Sequence, residues 1–144
     1  LIKTDGSIRC WGSNTYGQLG NGSTTSSAPA VSVSGITGAT GVGSGSQGIS
    51  TCAFYTSGSS GIPKCWGNNT TGQLGDSSTT QRTSPVALTN VTANVISIAI
   101  SGYHSCALLS NGTGYCAGRN AEYQLGQGTT PASSTAHLTV SAWP

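Results

Sequence analysis

The sequence predicts an all-β chain built from about three successive copies of one unit of short strands. Three observations carry that reading. The run from Cys10 to Gly20 (CWGSNTYGQLG) recurs from Cys65 to Gly75 (CWGNNTTGQLG) and, eroded, from Cys116 to Gly126 (CAGRNAEYQLG), at spacings of 55 and 51 residues. Short apolar and β-branched runs stand between Gly, Asn and Asp turn signals along the chain. No stretch sustains a 3.6-residue apolar period between helix caps. A unit of about 50 residues made of short strands and turns has the length of one β-propeller blade, so these are expected to be blades of about four strands each.

Taken in order, residues 1–40 form a partial first unit, 41–92 a second and 93–144 a third, all within one repeat domain spanning 1–144. Leu1-Ile2-Lys3 reads as a strand that turns at Asp5-Gly6 toward Cys10, and Ala107-Leu108-Leu109 as one that turns at Asn111-Gly112 toward Cys116. Both dipeptides suit a type I′ hairpin turn, in which the two central residues take positive φ. Gly48–Phe54 aligns with Gly102–Leu108, and Val95–Ile100 is a further β-prone run. After each repeated core comes a Ser/Thr loop, at Gly22–Ser27, Ser77–Gln81 and Thr129–Thr135. Each loop leads into a last strand, at Pro29–Val33, Pro85–Thr89 and Ala136–Val140.

The core Cys-Trp-Gly-x-Asn-x-x-Gly-Gln-Leu-Gly, with His104-Ser105-Cys106-Ala107-Leu108 as the strand before its third copy, resembles the RCC1 repeat (regulator of chromosome condensation type). The likeness covers essentially the whole chain and is to the cysteine-bearing form typical of secreted or surface bacterial proteins. It implies a propeller of about seven four-stranded blades around a central channel. The founding member of that family is a guanine-nucleotide exchange factor on chromatin, acting through loops and a basic tail of its own. Other members are secreted binding proteins, including an inhibitor of β-lactamases. The fold is a scaffold, and activity belongs to whatever is grafted onto it.

The motif residues have structural tasks on this reading. Gly12, Gly17, Gly20, Gly67, Gly72 and Gly75 permit positive φ or close backbone approach. Gln18 and Gln73 are expected to satisfy loop backbone groups that no ladder reaches. Leu19 and Leu74 are expected to wedge between neighbouring blades, and Trp11 and Trp66 to offer large apolar faces with one N–H to satisfy. The third copy carries Ala117 for Trp and Tyr123 for the mid-loop Gly, so its loop is expected to be repacked.

Five cysteines remain. Cys52 with Cys65 and Cys106 with Cys116 each flank a proposed hairpin, within disulfide reach across adjacent strands. No CxxC or His/Cys cluster at ligand spacing is present, so disulfides are favoured over a metal or free thiols, and an oxidising compartment over the cytoplasm. Cys10 is unpaired in this chain. Aligning Asp5-Gly6 with Asn111-Gly112 places the equivalent of Cys106 just before Leu1, so this stretch is expected to belong to a longer chain with further repeats upstream, or Cys10 to pair between subunits.

Composition narrows the function. Charged residues are 6% of the chain and the formal net charge is +2, too little field to attract nucleic acid or an anionic membrane. No run of 18 apolar residues offers a membrane span. His104 resembles the histidine with which the family opens this strand, hydrogen-bonded within its blade, and His137 reads as a strand residue. Asp5, Asp76 and Glu122 fall at three different repeat positions and form no carboxylate pair. There is no Gly-x-Ser-x-Gly elbow, and Gly41–Gly45 lacks the Lys and the following helix of a phosphate loop. No catalytic residue, cofactor or metal is therefore expected.

What remains points to binding. Tyr16, Tyr55, Tyr103, Tyr115 and Tyr123 are candidate contact anchors. The Ser/Thr loops are expected on one rim. Asn21, Asn68, Asn69, Asn90 and Asn111 begin Asn-x-Ser/Thr triplets and are candidate glycosylation sites. The leading expectation is an extracellular or cell-surface structural and interaction module without catalysis, partnered by a protein or by further copies of itself. Three blades do not close a ring, so either more blades lie against the outer faces or copies associate head to tail, as a ring or a filament. The alternative is a secreted ligand-binding propeller, an enzyme inhibitor or a glycan-binding adhesin. A nucleotide-exchange or chromatin regulator ranks third.

Overall fold

The computed structural model describes residues 1–45, 47–56, 61–91, 95–128 and 133–140, with the side chains of residues 136–138 left aside. Ten strands run in chain order: β1 (Arg9–Gly12), β2 (Ser27–Ser32), β3 (Gly41–Ser44), β4 (Ser50–Phe54), β5 (Lys64–Gly67), β6 (Arg82–Ala87), β7 (Val95–Ile100), β8 (His104–Leu109), β9 (Gly114–Arg119) and β10 (Ser133–Thr139). They make a two-stranded sheet, β1-β2, and two four-stranded sheets, β3-β4-β5-β6 and β7-β8-β9-β10, in which all pairings are antiparallel. Among the described residues there is no helix. The leading segment adds to the first sheet only an isolated bridge, Ile2 opposite Ile8.

Two hairpins differ from the turn that their sequences predict. Gly6 and Gly112 have φ of 71° and 85°, but neither Asp5 nor Asn111 takes positive φ. The Gly6 N–H donates to Lys3 O and the Lys3 N–H to Ser7 O; Gly112 and Leu109 repeat this with Leu109 O and Thr113 O. The connection is thus a three-residue loop, a type I turn closed by a glycine bulge. The Asp5 and Asn111 side chains fix it by accepting from the Ser7 and Thr113 N–H groups, at 2.9 and 3.0 Å.

The Gly-rich run Gly41–Ser44, with Val42 as its one β-branched residue, is β3. Its glycines make room for the next sheet. A Cβ at Gly43 would lie 3.3 Å from Ile98 O, and one at Gly45, just past the strand, 2.8 Å from Ser101 O. Bare backbone at this edge lets β7 lie close against the second sheet.

Two apolar clusters fill the joints between successive sheets. Ile8, Val33, Ile36, Ala39, Ala53, Tyr55 and Trp66, with half-buried Ile2, Cys10 and Val42, hold the first sheet to the second. Cys52, Cys65, Leu74, Leu88, Val91, Val95, Ile98 and Ala107 hold the second to the third. Tyr55 is 5% exposed, so it is a core residue and not a contact anchor. The core is divided between the joints: each sheet is thin, and its apolar area is hidden by its neighbour.

Leu74 is fully buried at the second joint. Leu74→Ala is expected to destabilise the chain by about 3 kcal/mol in urea denaturation followed by far-ultraviolet circular dichroism. A loss under about 1 kcal/mol would contradict this account of the joint.

Candidate functional site

The repeated loop is built around an asparagine. Asn14, Asn69 and Asn120 are 0%, 0% and 1% exposed. Their Oδ1 atoms accept the N–H groups of Leu19, Leu74 and Leu125 at 2.9, 2.9 and 3.0 Å. The Asn14 Nδ2 donates to Ser23 O and Thr25 O, and the Asn69 Nδ2 to Ser78 O and Thr80 O. One side chain thus ties the leucine to the start of the Ser/Thr loop. Gln18, Gln73 and Gln124 accept the N–H two residues before them, from Tyr16, Thr71 and Glu122, each at 2.9 Å. The sequence points to the glutamines as loop organisers and singles out only Asn69 of these asparagines, as a glycosylation candidate, although all three occupy the same place in the repeat.

The third loop keeps this frame instead of repacking. Tyr123 takes φ 60°, the left-handed conformation of Gly17 (76°) and Gly72 (79°). The Tyr123 N–H donates to Asn120 O and the Gly126 N–H to Tyr123 O, as Gly17 and Gly20 do in the first copy. The asparagine and glutamine contacts outweigh the cost of a side chain at positive φ, which is of order 1 kcal/mol.

The first two loops each offer a glutamine carbonyl to the following sheet. Gln18 O accepts the Trp66 Nε1–H at 2.9 Å and the Thr51 hydroxyl at 3.1 Å. Gln73 O accepts the Ser105 hydroxyl at 2.6 Å. Trp66 is buried, whereas its counterpart Trp11 is 56% exposed with Leu1 beside it. Between the first and second sheets lies a cleft of about 480 Å3, lined by Arg9, Trp11, Ser13, Tyr16, Gln47 and Thr51, among others. On the outer face of the third sheet a second hollow of about 360 Å3 is lined by Ser97, Ala99, Leu108, Cys116, Leu125 and Val140, with others.

The remaining candidate residues are placed as follows. Cys52 and Cys65 face each other across β4 and β5, Cys106 and Cys116 across β8 and β9, and both pairs are disulfide-bonded. Cys10 is a free, half-buried thiol; burial pushes its pKa up, which keeps it protonated at neutral pH. His104 Nδ1 lies 2.8 Å from the Ser101 hydroxyl, and burial holds its imidazole below the usual range. No described carboxylate joins it: Asp5 binds Ser7, Asp76 binds Arg82, and Glu122 binds Arg119. His137 lies on β10 but its side chain is outside the described residues, as is the start of the Thr129–Thr135 loop. Among the described residues no three His, Cys, Asp or Glu side chains gather as metal ligands.

Of the glycosylation candidates, Asn68 and Asn69 are buried. Asn68 Oδ1 accepts from Thr70 and Gln73, and both polar ends of Asn69 are bonded within the loop. In the folded chain they are loop organisers closed to modification. Asn21 Oδ1 accepts from Asn14 and Ser23, Asn90 takes φ 66°, and Asn111 stands exposed at its hairpin. Among the described residues the outward tyrosines are Tyr16, Tyr103 and Tyr123, 37%, 44% and 64% exposed. Arg119 lies 6.0 Å above the Tyr103 ring.

A family model described as "Regulator of chromosome condensation (RCC1) repeat" matches residues 5–48 and 65–108, and a second of the same description matches 95–124. Among solved structures, yeast RCC1 (Prp20) bound to Kap60 superposes with a TM-score of 0.76 at 21% identity, over 96% of this chain and 34% of that one. Prp20p from Saccharomyces cerevisiae gives 0.77 at 22% over 96% and 35%. Human WBSCR16 gives 0.80 at 21% over 95% and 35%. The chain spans about a third of the length of these structures, and at such identity the likeness is one of fold.

Asp76 holds the second loop where Asn21 holds the first. Its Oδ1 accepts from Asn69 and Ser78, and its Oδ2 from Arg82 Nε at 2.7 Å. Burial pushes its pKa up, but the bonds from Ser78, Arg82 and Asn69 and the charge of Arg82 outweigh it, leaving the carboxyl below the usual range. A depressed carboxylate contributes stability that is present above its unfolded value and lost as pH falls through the folded one. Asp76→Asn keeps the Oδ1 contacts and loses the charge, so it is expected to cost about 1 kcal/mol at pH 7. That difference from the parent chain should shrink below about pH 4 in urea denaturation run as a pH series.

Proposed function

Since this chain belongs to the RCC1 repeat family, we propose that it serves as a non-catalytic protein-interaction module at the cell surface or outside the cell. One observation carries this reading. The asparagines and glutamines of the repeated loops are engaged inward, on their own backbone and on the next sheet, while Trp11, Tyr16 and Tyr123 of the first and third copies stand outward. Exposed Tyr and Trp with an adjacent Arg are the side chains that anchor protein contacts. Cross-strand disulfides support the oxidising compartment, since thiols in a reducing cytoplasm stay reduced.

The partner class follows the family. Yeast RCC1 (Prp20) is solved with Kap60, and Prp20p is described with its binding to Gsp1p and histones. For this chain the inference is a protein partner of near-neutral surface. Two of its five cations, Arg82 and Arg119, are already in ion pairs, and the net charge is +2, which disfavours a chromatin role.

A second reading draws on the cleft between the first and second sheets. Trp11 and Tyr16 beside Arg9, Ser13 and Gln47 combine aromatic faces with hydrogen-bonding groups, a lining suited to a sugar ring. Titration with oligosaccharides is expected to change the tryptophan fluorescence, and Trp11→Ala to abolish the change. An unaltered response in that variant removes the cleft from the reading.

The compartment is tested by trapping thiols with an alkylating agent before cells are opened. Cys52, Cys65, Cys106 and Cys116 are expected to be recovered unmodified. Five modified cysteines would place it among reduced cytoplasmic proteins and overturn the proposal.

A further inference from the structure

An asparagine followed by glycine closes easily into a cyclic imide, because glycine has no side chain to crowd the approach of its nitrogen to the carboxamide. The chain holds two such pairs, Asn21-Gly22 and Asn111-Gly112, and another copy of the repeat has aspartate at each place. Asp76 stands where Asn21 does, and both accept from the loop asparagine and from the N–H two residues on. Asp5 stands where Asn111 does, and their Oδ1 atoms accept the Ser7 and Thr113 N–H groups at 2.9 and 3.0 Å. A carboxylate oxygen accepts such bonds as well as a carboxamide oxygen does. Asn14 and Asn69 differ, since their Nδ2 groups donate to two carbonyls each and an acid would lose both bonds.

The two pairs differ in what must open before the ring can close, since the glycine nitrogen has to leave its hydrogen bond and turn to the asparagine Cγ. The Gly22 N–H donates to Thr83 O of β6 at 2.9 Å, a bond that crosses to the next sheet. Asn21 is half-buried, and its Oδ1 takes Asn14 Nδ2 together with the Ser23 N–H and hydroxyl. The Gly112 N–H donates at 3.0 Å to Leu109 O, within its own hairpin, and Asn111 is exposed. Asp5 is exposed as well, although the Gly38 and Ala39 N–H groups bind the carbonyls of Asp5 and Gly6. The position therefore faces solvent even where the linking segment lies against the hairpin. Opening the first pair breaks a joint between sheets, whereas opening the second frays the tip of a hairpin, at the low end of local unfolding free energies.

We propose that Asn111 is a site of spontaneous deamidation in the folded chain. The Gly112 nitrogen bonds to Asn111 Cγ, the Cγ–Nδ2 bond breaks, and Nδ2 leaves as ammonia with the glycine proton. Water then opens the imide, its hydroxyl going to one carbonyl carbon and its other proton back to the Gly112 nitrogen. Nothing is oxidised or reduced, and solvent water is the one co-reactant. Opening at Cγ gives aspartate, which keeps the bond to Thr113 as Asp5 keeps that to Ser7. Opening at the main-chain carbonyl gives isoaspartate, whose extra backbone methylene does not fit the three-residue loop. Either product lowers the formal net charge of +2 by one and removes the Nδ2 that the Asn111-Gly112-Thr113 triplet offers to a glycan.

The test incubates the 144-residue chain at mildly alkaline pH, in native buffer and in unfolding urea, and follows acid formation by peptide mass spectrometry. After reduction, trypsin separates the two sites into the peptides Cys10–Lys64 and Thr83–Arg119. In the native chain Asn111 is expected to convert at least about tenfold faster than Asn21, and in urea the gap is expected to close. An Asn111→Asp chain is expected to unfold at the same urea concentration as the parent, since the loop already accepts aspartate at Asp5. A native chain that keeps Asn111 as the amide, or that converts Asn21 as fast, overturns the proposal. So does a gap that persists in urea, or an Asn111→Asp chain that unfolds at lower urea.

Discussion

Everything in this architecture leans on one carbonyl and one leucine, offered by a loop to the sheet that follows it. Gln18 O takes the Trp66 indole N–H while Leu19, 3% exposed, is packed away alongside. Gln73 O and Leu74 do the same at the next joint, with the Ser105 hydroxyl as donor. A buried leucine contributes about 1.5–3 kcal/mol and a hydrogen bond about 1 kcal/mol net, so neither alone would hold two sheets together. They act together because the loop is rigid. Its asparagine fixes the leucine N–H, its glutamine closes the turn, and the positive-φ residues set the path between them.

That dependence explains where chain flexibility and bulk are rationed. The third sheet can approach the second because β3 is nearly bare backbone, and the last strand can cross each inner loop because Gly17 and Gly72 carry no Cβ. The disulfides lie directly across β4–β5 and β8–β9, and the first of them is itself part of the second joint. They join strands that the ladder already pairs, so their effect falls mainly on the unfolded chain. A protein with 6% charged residues has few surface ion pairs to lend stability; the hydroxyl and amide network of the loops takes that place.

Much of this was legible in the letters. A repeated Cys-to-Gly core announced the units, and turn signals with β-prone runs announced strands. Cysteines flanking hairpins stood opposite one another because a hairpin leaves little choice of register. What was not legible arose from contacts between units. Nothing local distinguishes Trp11 from Trp66, or Tyr55 from Tyr103; only the presence of a neighbouring loop or strand decides which is covered. The strand character of Gly41–Ser44 comes from outside the segment, imposed by β4 on one side and β7 packed on the other. The Asp5 and Asn111 turns differ from expectation for a local reason, since their side chains bond the residue two places on and so favour a three-residue loop.

Repeats make departures informative, because the other copies show what the position needs. Two departures of the third copy stand out. Ala117 in place of Trp is buried at 0% exposure and gives up an indole N–H, leaving the Gln73 carbonyl to a serine hydroxyl from the neighbouring strand. Tyr123 in place of Gly leaves the loop frame intact and alters only what stands outside it. The first change is absorbed within the stack, whereas the second projects from it, beside Arg119 and Glu122 in a loop whose first two copies carry no charge between the tryptophan and the glutamine. In this fold the inner positions of the repeat conserve the joint, and its outward positions are where one copy can be made to behave unlike the others.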